Sequence, residues 1–199
     1  MNSMSILWVW LSSLLFALVH SLMATTRIKA FLFELGVGGQ AYRLAYSLLA
    51  LMLTALWLWF VHALPDAPLY HLAGWRNVLL VIVQLAGLAI VLLSFRSFDG
   101  GMFLGFKPWP DQGEPFHETG IYRWLRHPMY SGVMLALLAS PMQTVNSLHL
   151  SLAICLYFII GAQFEERRML AEHPAYADYR RRVPGFIPHV IPKGPGSRL

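Results

Sequence analysis

The run VLLVIVQLAGLAIVLLSF, Val78 to Phe95, holds no Asp, Glu, Lys or Arg. As a helix it reaches nearly across a hydrocarbon core of roughly 30 Å. Working outward from it, apolar runs recur at Ile6 to Ala24, Tyr42 to Ala63, Pro128 to about Ala139 or beyond, and Leu148 to Phe164. The expected fold class is therefore all-α: a polytopic membrane helix bundle of about five transmembrane helices, followed by a C-terminal interfacial helix. Composition agrees, with 57% hydrophobic and 13% charged residues and a mean hydropathy of +0.53, outside the usual mix for soluble domains. The reading is one membrane domain over residues 1–199, with three N-terminal spans in 1–95, a cytoplasmic loop in 96–127, and a helical hairpin with its tail in 128–199. The first run has no Lys or Arg before it and no clear small-residue cleavage site, so it reads as a retained helix. The single cysteine, Cys155, forms no internal disulfide and reads as a small buried hydrophobe.

The cations are distributed unevenly. Assigned to the connections between spans, fourteen of the fifteen Lys and Arg residues fall on one side and only Arg76 on the other. The positive-inside rule then places the N-terminus outside and the C-terminus in the cytoplasm, as for a multi-pass protein of the cell (inner) membrane. Anionic lipids account for the net charge of +5, which leaves no call for a nucleic-acid partner.

The third connection carries Gly100-Gly101, Pro108, Pro110 and Pro115, a composition that resists regular helix. The fourth, around Pro141 to Ser147, is short and uncharged, so the last two spans are expected to form an antiparallel hairpin that brings His127 and Glu165 to one side. Pro128 to Pro141 covers about 20 Å as helix, less than the core. Either that helix runs past Pro141 or its polar start lies within the membrane. From Glu165 the tail mixes Met169, Leu170, Tyr176 and Tyr179 with arginines and then turns proline-rich at Pro184, Pro188, Pro192 and Pro195. It reads as an interfacial helix followed by extended chain, with Tyr176 as an interfacial anchor. Phosphate loop, dinucleotide fingerprint, internal repeat and close Cys/His metal spacing are all absent, so no metal is assigned.

Two polar clusters remain, Gly120-Ile121-Tyr122-Arg123-Trp124-Leu125-Arg126-His127-Pro128-Met129-Tyr130 and Glu165-Glu166-Arg167-Arg168. Pro128 at a first helical turn loses no hydrogen bond, and the free N–H groups of that turn suit a carboxylate. Arg126 and His127 add donors. Tyr122, Trp124 and Tyr130 offer faces for an aromatic base or a sulfonium cation, while Glu165 and Glu166 accept from ribose hydroxyls or an ammonium. S-adenosylmethionine has every one of these features.

Gly120, Tyr122, Arg126 through Tyr130, Gly132, Phe164 through Arg167, Leu170, Tyr176, Tyr179 and Pro188 together resemble the membrane methyltransferases that include isoprenylcysteine carboxyl methyltransferase and phospholipid N-methyltransferases. The resemblance covers roughly residues 113–188. It implies a compact helix bundle with S-adenosylmethionine bound between the last two spans and the C-terminal helix, open to the cytosol. It also implies cofactor contacts at Tyr122, His127, Pro128, Met129, Tyr130 and Glu165, to which the chemistry above adds Arg126 and Glu166. The carboxyl methyltransferases carry an arginine one turn before the glutamate pair to orient the substrate carboxylate, and Gly161 stands there in this chain. That turns the expectation away from a prenylcysteine carboxylate. A cofactor glutamine expected near the third loop is replaced by Lys107. The N-terminal half, with His20-Ser21, Lys29, Tyr42-Arg43, Tyr46, Asp99 and Gly105-Phe106, is more loosely similar to methanethiol S-methyltransferases and to membrane proteins associated with nitric oxide metabolism.

The expected activity is methyl transfer to a small or lipophilic acceptor reached through the membrane, with a thiol as one such acceptor. Positioning and exclusion of water supply much of the catalysis. A thiol also loses a proton, for which His127 and His20 are the candidates. The competing readings are a non-catalytic accessory protein for a respiratory or nitrogen-oxide enzyme and a haem-bearing electron carrier. His20 and His62, near the ends of consecutive spans, fall on different membrane sides, which argues against the haem.

Overall fold

The computed structural model describes residues 3–97, 99–108 and 116–188. In chain order the elements are α1 (Ser3–Met23), α2 (Thr26–Glu34), α3 (Gly39–Ala63), β1 (Pro68–His71), α4 (Trp75–Phe95), α5 (Gly100–Leu104), a 3-10 turn (Gly120–Arg123), α6 (Pro128–Leu138), β2 (Met142–Thr144), α7 (Val145–Glu172) and α8 (Tyr176–Arg182). Among the described residues α1, α3, α4 and α7 are long and apolar enough to cross a membrane. The protein is thus a multi-pass membrane helix bundle. The fifth expected span, α6, has 11 residues, about 16 Å at helical rise. It ends before Pro141 and does not run past that proline.

Three further elements differ from expectation. The irregular third loop contains α5, started by Asp99, whose carboxylate accepts from the Gly101 and Met102 N–H groups, and ended by Gly105 at φ +88°. The fourth connection contains β2, which pairs antiparallel with β1. Finally, α7 continues through the Glu165 cluster to Glu172, and the separate tail helix begins only at Tyr176. Pro110 and Pro115 of the loop and Pro192 and Pro195 of the tail lie outside the described residues.

The chain divides into two compact units. The described part of the first comprises 3–71, 99–108 and 142–154. There α1 and α3 meet through Val9, Trp57 and Val61, flanked by Phe16, Phe60 and Leu64 and by Leu150 and Ile154 of α7. Phe16 stacks on Trp57 at 4.4 Å. Most other apolar side chains of α1 and α3 face outward, Leu15 and Leu51 among them, as expected of surface solvated by lipid rather than water. At the start of α3, α5 is fastened by Arg43 Nε to the Phe103 carbonyl (2.9 Å) and Gln40 Nε2 to the Phe106 carbonyl (3.0 Å). Only glycine fits at 105, because a Cβ there would lie 2.4 Å from the Leu44 nitrogen. At the other end of α3, Asp66 Oδ1 accepts from the Ala67 and Asn146 N–H groups at 2.8 and 3.0 Å. Thr144 and Ser147 exchange side-chain to backbone bonds at the first turn of α7, an N-terminal cap.

The described part of the second unit comprises 72–97, 116–141 and 155–188. Its tightest contact is between α4 and α6. A Cβ on Gly87 would lie 2.6 Å from the Gly132 carbonyl oxygen, and one on Gly132 2.6 Å from the Gly87 oxygen. Gln84 Nε2 donates to the Ala136 carbonyl at 2.9 Å. Small residues one turn apart, Gly132 and Ala136, let the two backbones touch, which is how helices associate where lipid removes the hydrophobic drive. The short α6 is thereby held by α4, and its start is set against α7 and the tail.

Candidate functional site

The entrance to α6 is built by the chain on both sides of Pro128. The 3-10 turn closes with Leu125 N–H on the Ile121 carbonyl at 3.2 Å, and the tail takes the next two N–H groups: Arg126 N–H donates to the Pro184 carbonyl at 2.9 Å and His127 N–H to the Gly185 carbonyl at 3.0 Å. Ser131 Oγ adds a 2.8 Å bond to the Phe186 carbonyl. The tail takes this path because α8 ends at Val183 in an extended conformation followed by proline. Tyr176, Tyr179 and Val183 form a core with Phe116 and Met169, and Tyr179 Oη donates to the Tyr122 carbonyl at 2.7 Å. Tyr176 and Tyr179 are therefore buried in protein and are not interfacial anchors. Burial pushes the Tyr176 phenol up to about 12 and raises that of Tyr179 as well.

Glu166 is the electrostatic centre. Its residue is only 4% exposed. Oε1 accepts from Arg126 Nε (2.8 Å) and Nη2 (2.7 Å) and lies 3.0 Å from His127 Nε2, while Oε2 lies 3.0 Å from Arg180 Nε. Arg126 Nη1 meanwhile donates to the carbonyls of Arg180 and Val183. One carboxylate thus ties together the α6 entrance, α7 and α8, and Arg126 extends the tie to the start of the tail. Burying so much charge is tolerable because every charged group has an opposite partner. Arg182 and Glu118, at 2.9 Å, fasten the far end of α8 to the segment before the 3-10 turn.

Glu165, its neighbour, is used differently. Its side chain is 39% exposed and accepts from Tyr130 Oη at 3.0 Å. His127 Nδ1 is 3.7 Å from Glu165 Oε2, beyond hydrogen-bond range. The rings beside it form a column: Phe158 on Tyr130 at 4.7 Å, Tyr130 on His127 at 5.6 Å and nearly parallel, and His127 on Phe186 at 5.3 Å. The site therefore presents one accessible carboxylate with a buried imidazole behind it, aromatic surface and the N-terminus of α6, where His127 supplies no side-chain cap.

Of the residues singled out in the sequence, Arg126, His127, Tyr130, Glu165 and Glu166 come together here. Pro128 is fully buried at the first turn, Met129 follows it half-buried, and Tyr122 is buried behind it with its carbonyl engaged by Tyr179. His20 lies in the first unit, where its Nε2 is 3.0 Å from Tyr46 Oη and its ring stacks on Phe16 at 5.4 Å. Trp124, offered as an aromatic face, is largely exposed. Sequence reasoning missed Arg180, Phe158 and Phe186. Arg180 belongs to an Arg-Arg-Arg run indistinguishable from topology-setting cations, and nothing local marks the two phenylalanines. Among the described residues no group of three or more His, Cys, Asp or Glu is arranged to hold a metal ion.

Comparison with known proteins gives the arrangement its context. The profile of the family described as NnrU protein matches residues 8–188. Methanethiol S-methyltransferase 2 of Bradyrhizobium diazoefficiens is 34% identical over 188 residues, covering 89% of this chain and 71% of that one. The methanethiol S-methyltransferase of Mycobacterium tuberculosis is 30% identical over 185 residues, covering 87% and 74%. That of Crocosphaera subtropica is 30% identical over 187 residues, covering 88% and 72%. No solved structure matches the chain.

Proposed function

The chain belongs to the NnrU protein family, and from that premise we propose that it is an integral membrane methyltransferase that moves a methyl group from S-adenosylmethionine to a small thiol, with methanethiol as the first candidate. The observation that carries the reading is the pairing of an accessible Glu165 with Tyr130 and His127 at the start of α6, in a chain similar to methanethiol S-methyltransferases along most of its length.

The donor set fits S-adenosylmethionine. Glu165 is the acceptor for an ammonium or for ribose hydroxyls, the first turn of α6 at Pro128, Met129 and Tyr130 takes a carboxylate, and the aromatic surface beside Tyr130 suits a flat base. When bound, the group supplies an electrophilic methyl on a positively charged sulfur. The protein's part is to hold and exclude. Arg126 and Glu166 keep the entrance closed against the tail, and Tyr122, through its carbonyl and Tyr179, fixes the turn before α6. A thiol is mostly protonated at neutral pH, so a base is needed. His127 and His20 are the candidates for that proton, His127 only while its Nδ1 is not engaged by the cofactor. The cation-rich side of the membrane is the cytoplasmic one, which puts the site on the face where a soluble cofactor is available.

Titration of the detergent-purified protein with S-adenosylhomocysteine tests the first half. Saturable binding that weakens about tenfold or more in Glu165→Ala is expected, from the loss of a charged hydrogen bond. Headspace detection of dimethyl sulfide from methanethiol tests the second, and His127→Gln, rather than His20→Gln, is expected to abolish turnover. A folded protein that does not bind S-adenosylhomocysteine would be a non-catalytic membrane protein instead.

A further inference from the structure

Glu165 and Glu166 differ by one position and have opposite surroundings. Both oxygens of Glu166 are taken by Arg126, His127 and Arg180, so it has nothing left to offer a ligand. Flanked by two guanidinium groups it is a carboxylate, which only accepts. The 3.0 Å contact with His127 therefore requires the hydrogen to sit on Nε2. The imidazole is also clamped, with Tyr130 parallel to it at 4° and Phe186 at 27°. The backbone at His127 is bonded to Gly185.

We infer that Glu166 is a positioning residue: it holds His127 in the Nε2–H tautomer, so that the Nδ1 lone pair and Glu165 Oε2 face one another as a two-acceptor receptor for a ligand group with several N–H or O–H donors. In that tautomer the two acceptors, 3.7 Å apart, are an unfavourable pair when alone, and a donor-rich group such as an ammonium satisfies both. The same two atoms would repel a ligand carboxylate, which sends that end toward the α6 N-terminus. The ligand's identity rests on the methyl-donor reading. The tautomer does not.

The experiment uses the full chain, purified in detergent with 15N-histidine, and reads long-range 15N–1H correlations at pH 8, the His127 signals being identified by their loss in His127→Gln. The wild type is expected to carry hydrogen on Nε2 and none on Nδ1. Glu166→Gln, whose amide can donate, is expected to redistribute that hydrogen and to weaken S-adenosylhomocysteine binding about tenfold or more. If Glu166→Gln does not fold, Glu166→Asp carries the same expectation, since it keeps the charge but withdraws the oxygen from Nε2. A purely structural tie would lower stability and leave the tautomer alone. Hydrogen on Nδ1 in the wild type, or a variant with wild-type tautomer or wild-type affinity, overturns the inference. Absence of binding by a wild type with the expected tautomer refutes the methyl-donor reading and leaves the role of Glu166 toward His127 standing.

Discussion

Glu166 and Asp99 both set a carboxylate against basic side chains close to the start of a helix, and they lie in different units of the molecule. Asp99 does so at the surface: its side chain is 36% exposed, that of Lys107 is 60% exposed, and the 2.8 Å pair serves a single-turn helix. Glu166 does so inside, at 6% exposure against 14% for Arg126, and joins three chain segments. Water screens the first pair, whose worth is small. In the second, Glu166 and Arg126 have little water to fall back on, so removing either leaves the other charged and dry, whereas Arg180 keeps its solvent. Similar chemistry makes a local turn in one place and an organising centre in the other, and burial alone separates them.

The comparison predicts a graded series. Glu166→Ala strands the buried Arg126 guanidinium and is expected to cost about 3–5 kcal/mol, read as a large fall in the thermal unfolding midpoint in detergent. A small effect would mean that water reaches the cluster. Tyr179→Phe removes one buried hydroxyl and leaves the Tyr122 carbonyl without that donor, for about 1–3 kcal/mol. Because this residue touches no proposed ligand atom, affinity for S-adenosylhomocysteine should change less than stability. Asp99→Asn should produce no resolvable change at neutral pH. Its carboxyl is held below the ordinary value of 3.8, chiefly by the Lys107 hydrogen bond together with the Met102 and Gly101 N–H groups. A lowered folded-state value stabilises above the unfolded one and is lost as pH falls through the folded one. Any difference between wild type and Asp99→Asn should therefore shrink below about pH 3.8. A large neutral-pH effect would show that α5 is a keystone of its unit.

The two regions were not equally legible. The helix at Val78 to Phe95 could be read because an uncharged apolar run of that length has few other fates. The Arg126 to Tyr130 and Glu165-Glu166 clusters could be read because polar groups bordering apolar helices are costly unless used. Tyr176 was misread, since a tyrosine near a membrane surface looks the same in sequence whether it meets headgroups or protein. The strands β1 and β2 were invisible: three or four residues carry no periodicity, and their pairing depends on Asp66 and Asn146, eighty positions apart.

Composition and hydropathy were enough for a mostly helical membrane chain, for the four long helices among the five spans expected, and for the two polar clusters, because those follow from local transfer free energies that each segment carries with it. Folding in three dimensions settled which glutamate is open and which is consumed. It also made α6 a short helix held backbone to backbone by Gly87 and Gly132, set Arg180 against Glu166, and set Phe186 beside a histidine more than fifty residues earlier. Such facts depend on distances between segments far apart in the chain, and no local property of either segment encodes them.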